Sequence, residues 1–359
     1  MRKKTAPPKD SILFVGNFLS KQGSSRQYIE EMADRLQERG WQVIRTSQML
    51  FRPFRLIDMI FTVLAHKNQY SMAQIDVFSG PAFLWAEMTA WILRCLKKPF
   101  NLLLHGGNLP AFGQRWPRRV RHLFHSADSV VVPSQYLLDH MKPYRSDLKL
   151  LPNSVDISAY SFRPRLRPHP NLIWLRSFHK IYNPQLAPLV IARLQETYPE
   201  IRLTMVGPDK GDGTLQVTWN CIEELNLVNK IEIIPGIPKE QVPSMLAQAD
   251  IFINTTNIDN MPVSIIEAMA CGLCIVSTNV GGIPYLLKDG EDALLVSPND
   301  PCAMAAAVER ILTEPNLAKK LSQNARHKAE QFDWSVVLPK WESLFLEAIN
   351  NKESGQKKL

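Results

Sequence analysis

A carboxylate one turn inside a helix, behind amides with no helical partner, suits a ligand carrying both an anion and a diol. The run from Asn254 to Gly272 has that arrangement. A short apolar strand ends at Asn254, a polar loop carries Asp259, and a helix is predicted from near Ser264 to a glycine stop at Gly272. The first-turn N–H groups of such a helix form an anion site. Glu267 lies about one turn in, where its carboxylate can accept two hydrogen bonds from a vicinal diol such as a ribose. Its sequence neighbours are apolar and none neutralises it. Periodicity does not separate this reading from a Glu placed near a helix N-terminus by the macrodipole alone. The next strand ends at Thr278 and is followed by Gly281-Gly282-Ile283-Pro284. The two glycines permit φ > 0 and close approach of the backbone to a ligand, and Pro284 starts a helical turn.

The elements that hold these loops follow from the spacing of apolar runs. In the first half, strands are expected at Ile12–Gly16, Trp41–Ile44, Ile75–Phe78, Asn101–His105 and Ser129–Pro133, with helical stretches between them, one of them Ser24–Arg39. Pro152 to Pro170 carries four prolines interleaved with Arg163, Arg165 and Arg167 and reads as a linker. A second alternation follows, with strands at Leu172–Leu175, Ile201–Gly207, Ile231–Pro235, Ile251–Asn254, Cys274–Ser277 and Leu294–Val296, then helical stretches to Asn350. Strand, helix, strand at this spacing is an α/β fold with parallel sheets covered on both faces. The expectation is two Rossmann-like doubly wound domains, 1–152 and 153–333, facing a central crevice. A C-terminal helix and tail, 334–359, is expected to return to the first domain. Ligands in such sheets bind beyond the carboxyl ends of the strands.

The run from Asp259 through Glu267 to Gly272, followed by Gly281-Gly282-Ile283-Pro284, resembles the donor-binding signature of the family 4 (group 1) glycosyltransferases of the GT-B fold. Val132-Pro133-Ser134 and Pro152-Asn153-Ser154-Val155-Asp156 are similar to further family elements. The resemblance implies an N-terminal acceptor-binding domain and a C-terminal domain binding a nucleotide sugar such as a UDP- or GDP-sugar, with no other cofactor. The family pattern has two Glu residues flanking seven others; here they are Asp259 and Glu267. Glu267 would hold the ribose, and Asp259, one methylene shorter, would lie near the donor sugar. Val263 and Ser264 would open the helix onto the donor. Arg176 and Lys180 would be the basic pair on the diphosphate, although the glycine usual after that lysine is absent. His105, after the Asn101–His105 strand, would face the sugar and the reaction centre, where imidazole can exchange a proton near neutral pH. Gly16 and Gly23 would belong to the loop that approaches the diphosphate and acceptor. The implied catalytic set is His105, Asp259 and Arg176.

The implied activity is retaining, metal-independent sugar transfer to an acceptor hydroxyl in cell-surface polysaccharide, lipopolysaccharide or lipid-linked glycan synthesis. No Asp-x-Asp occurs in the sequence, so the metal-chelating motif of the other major glycosyltransferase fold is missing. Two other functions remain open: a UDP-sugar 2-epimerase of related fold, and a non-catalytic nucleotide-sugar-binding protein.

The 359 residues are 45% hydrophobic and 21% charged, which excludes a disordered chain, a collagen and a disulfide miniprotein. No run of 18 apolar residues occurs, and the basic start reads as a tail before a first strand rather than a signal peptide. Residues 1–152 carry 22 Lys and Arg against 11 Asp and Glu; the rest carry 20 against 23. A basic first half suggests an anionic partner: a membrane surface, a phosphorylated acceptor or nucleic acid. The apolar-aromatic stretch Phe83–Trp85 to Trp91–Leu93 is expected to meet the membrane. Arg115 to His122 is a basic cluster without any nucleic-acid-binding motif, so no nucleic-acid partner is expected. Cys271 and Cys274 have redox or zinc spacing but no second pair, and read as small packing residues. Five scattered cysteines fit a reducing cytoplasm, with the protein peripheral on the inner face of the cytoplasmic membrane.

Overall fold

The structure, a computed structural model, describes residues 11–20 and 27–356. The chain divides into two compact units, one reaching to Asn153 and resuming at Ser335, the other Ser154–Trp334. The first holds a six-stranded sheet of β1 (Ser11–Val15), β2 (Gln42–Thr46), β3 (Met72–Val77), β4 (Phe100–Leu104), β5 (Ser129–Val132) and β6 (Lys149–Leu150). Its order is β2-β1-β3-β4-β5-β6, all parallel. The second holds β7 (Asn171–Leu175), β8 (Arg202–Val206), β9 (Ile231–Ile234), β10 (Ile251–Asn254), β11 (Cys274–Thr278) and β12 (Leu294–Val296). Its order is β12-β11-β10-β7-β8-β9, also all parallel. Central strands such as β1, β3, β4 and β11 are buried along their whole length; β1 reads as an unbroken apolar run, whereas β3 and β4 bury the polar Gln74, Asp76 and Asn101.

Each sheet reverses its strand order once. In the first unit the chain steps from β1 out to β2 and returns to β3 on the other side of β1. In the second it runs β7, β8, β9 outward and returns to β10 beside β7. Loops leaving the strands that flank such a switch point diverge, and the gap between them is where doubly wound sheets bind ligands.

The carboxy-terminal helix Trp334–Gln356 belongs to the first unit from Ser335 onward. Phe345 is fully buried, edge-on to Phe14 of β1 and to Trp41, and the Trp41 indole N–H donates to Glu342 at 3.1 Å. Burial of each such aromatic contributes about 1.5–3 kcal/mol, enough to hold the helix on this unit.

The chain passes from one unit to the other at Asn153–Ser154, within Pro152–Pro170, but the rest of that segment packs into the second unit rather than lying as a solvated linker. Arg165 is among the most deeply buried side chains of the second unit. It contacts Asp250 and donates to the carbonyls of Ala249 and Cys271 at 2.7 and 2.5 Å. Asp250, also buried, takes Arg163 and the His169 amide as well. Asp250→Ala would leave the Arg165 guanidinium buried without its counter-charge. A loss of about 3–5 kcal/mol in unfolding free energy is expected, measured by urea denaturation.

Candidate functional site

Arg176 directly follows β7, and the loop carrying Asp259 follows β10, the two strands flanking the switch point. There the Arg176 guanidinium pairs with the Asp259 carboxylate and lies 4.3 Å from the Tyr182 ring centroid. Burial pushes Arg176 below the usual guanidinium range, while Tyr182 and Glu267 act the other way. Two glycines make the convergence possible. A Cβ on Gly207, after β8, would sit 1.7 Å from the Arg176 carbonyl oxygen, and one on Gly282 would sit 1.8 Å from that of Asn260. The Gly281-Gly282 turn therefore approaches the chain's own Asp259–Asn260 backbone, not only a ligand as its sequence suggests.

The helix Val263–Cys271 opens beyond that loop. Ser264 Oγ is buried at its amino end with no partner among the described residues. Glu267, one turn in, is 3% exposed; its sequence neighbours do not neutralise it, and its partners come from distant parts of the chain. The Tyr160 hydroxyl donates to Glu267 Oε1 at 2.8 Å, and Lys239 Nζ contacts the same oxygen. Both contacts fall on Oε1. At the other end, Arg326 donates to the Ala270 carbonyl at 2.7 Å, Arg165 to that of Cys271, and Ser322 to that of Gly272 at 2.6 Å. Two guanidiniums on the last carbonyls complement the negative end of the dipole and fix the helix that carries Ser264 and Glu267.

A buried polar lattice locks the loops around this edge. Trp174 donates to Thr255 at 2.8 Å, Thr255 to the Tyr182 carbonyl at 2.7 Å, and Thr278 to the Thr256 carbonyl at 2.6 Å. Lys180 lies on the exposed turn that this lattice holds, its amide accepted by Asp212 at 3.0 Å. Its ammonium makes no ion pair among the described residues and does not join the Arg176–Asp259 pair. The lysine brought to the acidic cluster is Lys239, which the sequence reading passes over.

In the first unit, Gly16, Asp76 and His105 gather at the carboxyl ends of β1, β3 and β4. His105 Nε2 is 3.0 Å from Asp76 Oδ1, and the imidazole stacks on Phe78 at 4.8 Å. A Cβ on Gly16 would meet Asp76 Oδ2 at 2.9 Å, so the glycine leaves room for that carboxylate. Asp76 is the residue that sequence reasoning misses here; it occupies a buried strand position with no motif around it. Gly23 lies outside the described residues.

Two sequence features include residues with structural contacts. Burial pushes the Cys271 thiol up to about 11 and the Cys274 thiol up to about 12, so neither is a ready thiolate nucleophile or ligand. In the basic cluster, Arg119 donates to both carboxylate oxygens of Glu87 at 2.9 and 2.5 Å and lies over Phe83, Phe112 and Trp116.

Residues 168–328, nearly all of the second unit, match the family model described as glycosyl transferases group 1. The chain is 29% identical over 206 residues to a phosphatidylinositol N-acetylglucosaminyltransferase component of Arabidopsis thaliana, covering 56% of this chain and 44% of that one. It is 27% identical over 175 residues to D-inositol 3-phosphate glycosyltransferase of Corynebacterium efficiens, covering 48% and 41%. The matched region thus spans less than half the length of these relatives. Sucrose-phosphate synthase from Thermosynechococcus elongatus superposes with a TM-score of 0.78 at 19% identity, covering 97% of this chain and all of the other. Anabaena HepE, solved in complex with UDP, superposes with a TM-score of 0.73 at 17% identity, covering 93% and 99%. These likenesses show the fold, GT-B, with two Rossmann-like sheets.

Proposed function

We propose that this chain is a retaining, metal-independent glycosyltransferase that moves a sugar from a nucleotide diphosphate sugar to an acceptor hydroxyl. The observation that carries this is the meeting of Arg176, Asp259, Ser264 and Glu267 at one switch point, within the segment matched by the group 1 family. Donor binding falls to the second unit and acceptor binding to the first. Glu267 takes the ribose hydroxyls through Oε2, while Tyr160 and Lys239 hold the carboxylate in place through Oε1. The open amides and free Ser264 hydroxyl at the helix amino end face the diphosphate, with Arg176 as its cation. Asp259 is then in competition with the diphosphate for Arg176. Donor binding redirects the guanidinium and frees the carboxylate to accept from a sugar hydroxyl.

Charge that develops on the departing diphosphate meets a guanidinium and a helix dipole in a site shielded from water. No enzyme nucleophile is required if the leaving phosphate assists deprotonation of the acceptor on the same face, which retains the anomeric configuration. His105, set against Asp76, donates to a sugar hydroxyl or carries a proton there. The names of the relatives, a phosphatidylinositol enzyme and an inositol phosphate enzyme, support a phosphorylated or lipid-linked acceptor in cell-surface glycan synthesis.

The test is a thermal-shift series with UDP, GDP and their sugars. A ligand at a hundred times its Kd adds about 2.7 kcal/mol of stability and raises Tm. A folded protein whose Tm no nucleotide moves would end this reading. Nucleoside diphosphate release that needs an added acceptor separates transfer from epimerisation, which proceeds on the UDP-sugar alone. Because Arg176 and the helix supply the positive charge, activity is expected to persist in EDTA. Complete loss restored by manganese or magnesium would move the chemistry to another class.

A further inference from the structure

The helix Arg52–Ala65 is apolar on its solvent side as well as on its core side. Arg55, Met59, Thr62 and Val63 face inward and are buried. Outward, Phe54, Ile57, Phe61 and Leu64 recur at spacings of three, four and three, one stripe of a helix. Phe51, Phe54, Ile57 and Phe61 are 59–66% exposed. Arg55 extends the patch: its guanidinium donates to the carbonyls of Met49 and Leu50 at 2.8 and 2.9 Å, so that loop is held against the helix with both apolar side chains exposed. The same guanidinium donates to Asn17 at 3.0 Å, beside Gly16, which ties the patch to the loop next to Asp76 and His105.

The stretch expected to meet a membrane, Phe83–Leu93, is only partly exposed. It lies in the helix Phe83–Cys95, where Phe83, Ile92 and Leu93 are buried and the exposed large side chains are Leu84 and Trp91. This helix packs beside Arg52–Ala65, with Trp85 under Arg55 at 5.2 Å. Exposed Arg52, Lys67, Arg94 and Lys97 flank the two helices. The two acidic residues of these helices are engaged, Asp58 by Thr46 and Glu87 by Arg119.

We propose that this face of the first unit is an interfacial membrane-binding surface: the Phe51–Leu64 stripe enters the headgroup boundary of a bilayer containing anionic lipid, and the flanking cations meet the headgroups. The 14-residue helix is about 21 Å long, too short to span a bilayer. An exposed apolar stripe, with exposed cations near the helix ends, matches helices that lie in the interface plane. Charge complementarity selects the occupant. Two copies packed through this face would set the cations of each against those of the other, whereas anionic headgroups neutralise them. The surface stands independently of sugar transfer; that it presents a lipid-linked acceptor to the His105 side of the first unit rests on the glycosyltransferase reading.

Flotation with phosphatidylcholine vesicles, with and without about 30% phosphatidylglycerol, tests this against the Phe54→Ser, Phe61→Ser double variant. The full chain is expected to float with the anionic vesicles, less so in 1 M salt, and the double variant to lose at least about tenfold in partitioning. Both changes are on the solvent side, so Tm should hold; an Ile57→Asn variant reads the same face if it does not. No flotation of the wild type, or equal flotation of wild type and variants, overturns the proposal. So does a dimer by sedimentation that the variants abolish without vesicle binding. The UDP or GDP thermal shift of the same variants separates the two readings: unchanged nucleotide binding with lost flotation confines the defect to the membrane surface.

Discussion

Arg176→Ala is expected to lower kcat by about a hundredfold or more while the protein stays folded. The guanidinium is the cation nearest the switch point, and its proposed contact is with the diphosphate, where negative charge grows as the sugar departs. An interaction that strengthens toward the transition state lowers the barrier rather than only tightening the complex. Arg176→Lys should recover part of the rate, since an ammonium restores the charge but not the planar fork, and not the face-on contact with Tyr182. The structure adds a control. Asp259 pairs with Arg176, so removing the arginine leaves a partly buried carboxylate without its partner. Some loss of Tm is therefore expected in Arg176→Ala, and Arg176→Ala with Asp259→Asn should regain it without regaining rate. Wild-type turnover by folded Arg176→Ala would place the diphosphate elsewhere.

Both sheets are legible in the sequence because buried parallel strands are unbroken apolar runs, as in Ile12–Val15 and Cys274–Val276. A strand as short as Lys149–Leu150, carrying a charge, gives no such signal. The helix Val263–Cys271 is legible because its loop, acidic position and glycine stop are contiguous. Its supports are not. Lys239 and Tyr160 reach Glu267 across 28 and 107 residues, and each alone looks like an ordinary lysine after a proline and an ordinary aromatic. Arg165 shows why proline and arginine mislead: the composition suggests a solvated linker, but a single buried carboxylate, Asp250, draws the segment into the core. The Arg52–Ala65 helix shows the same limit for apolar residues. Its sequence is apolar on both sides, and only the placement of Met59 and Val63 against the sheet reveals which stripe is left outside. Aromatic density alone points to Phe83–Leu93, of which Phe83, Ile92 and Leu93 fill the core while Leu84 and Trp91 stay exposed.

Glu267→Gln is expected to fail differently from Arg176→Ala, raising donor KM by about tenfold or more with a much smaller fall in kcat. The ribose hydroxyls are remote from the breaking bond and change little along the reaction, so losing a charged acceptor removes binding shared by ground and transition states. A hydrogen bond to a charged group is worth about 1.5–3 kcal/mol, which sets the scale of the KM change. The structure makes the variant harsher than a surface change. Lys239 and Tyr160 both use Oε1, and an amide there removes the counter-charge of Lys239 and lets the side chain rotate. Tyr160→Phe separates the two effects. It keeps the charge and removes only the hydroxyl that orients it, so its KM should rise less than in Glu267→Gln, again with kcat nearly unchanged. Lys239→Met keeps the carboxylate and Tyr160 but removes the cation, and the same KM-only pattern is expected if Lys239 acts through Glu267. A fall in kcat matching that of Arg176→Ala would instead make Lys239 a second cation at the diphosphate, the position that sequence alone gives to Lys180.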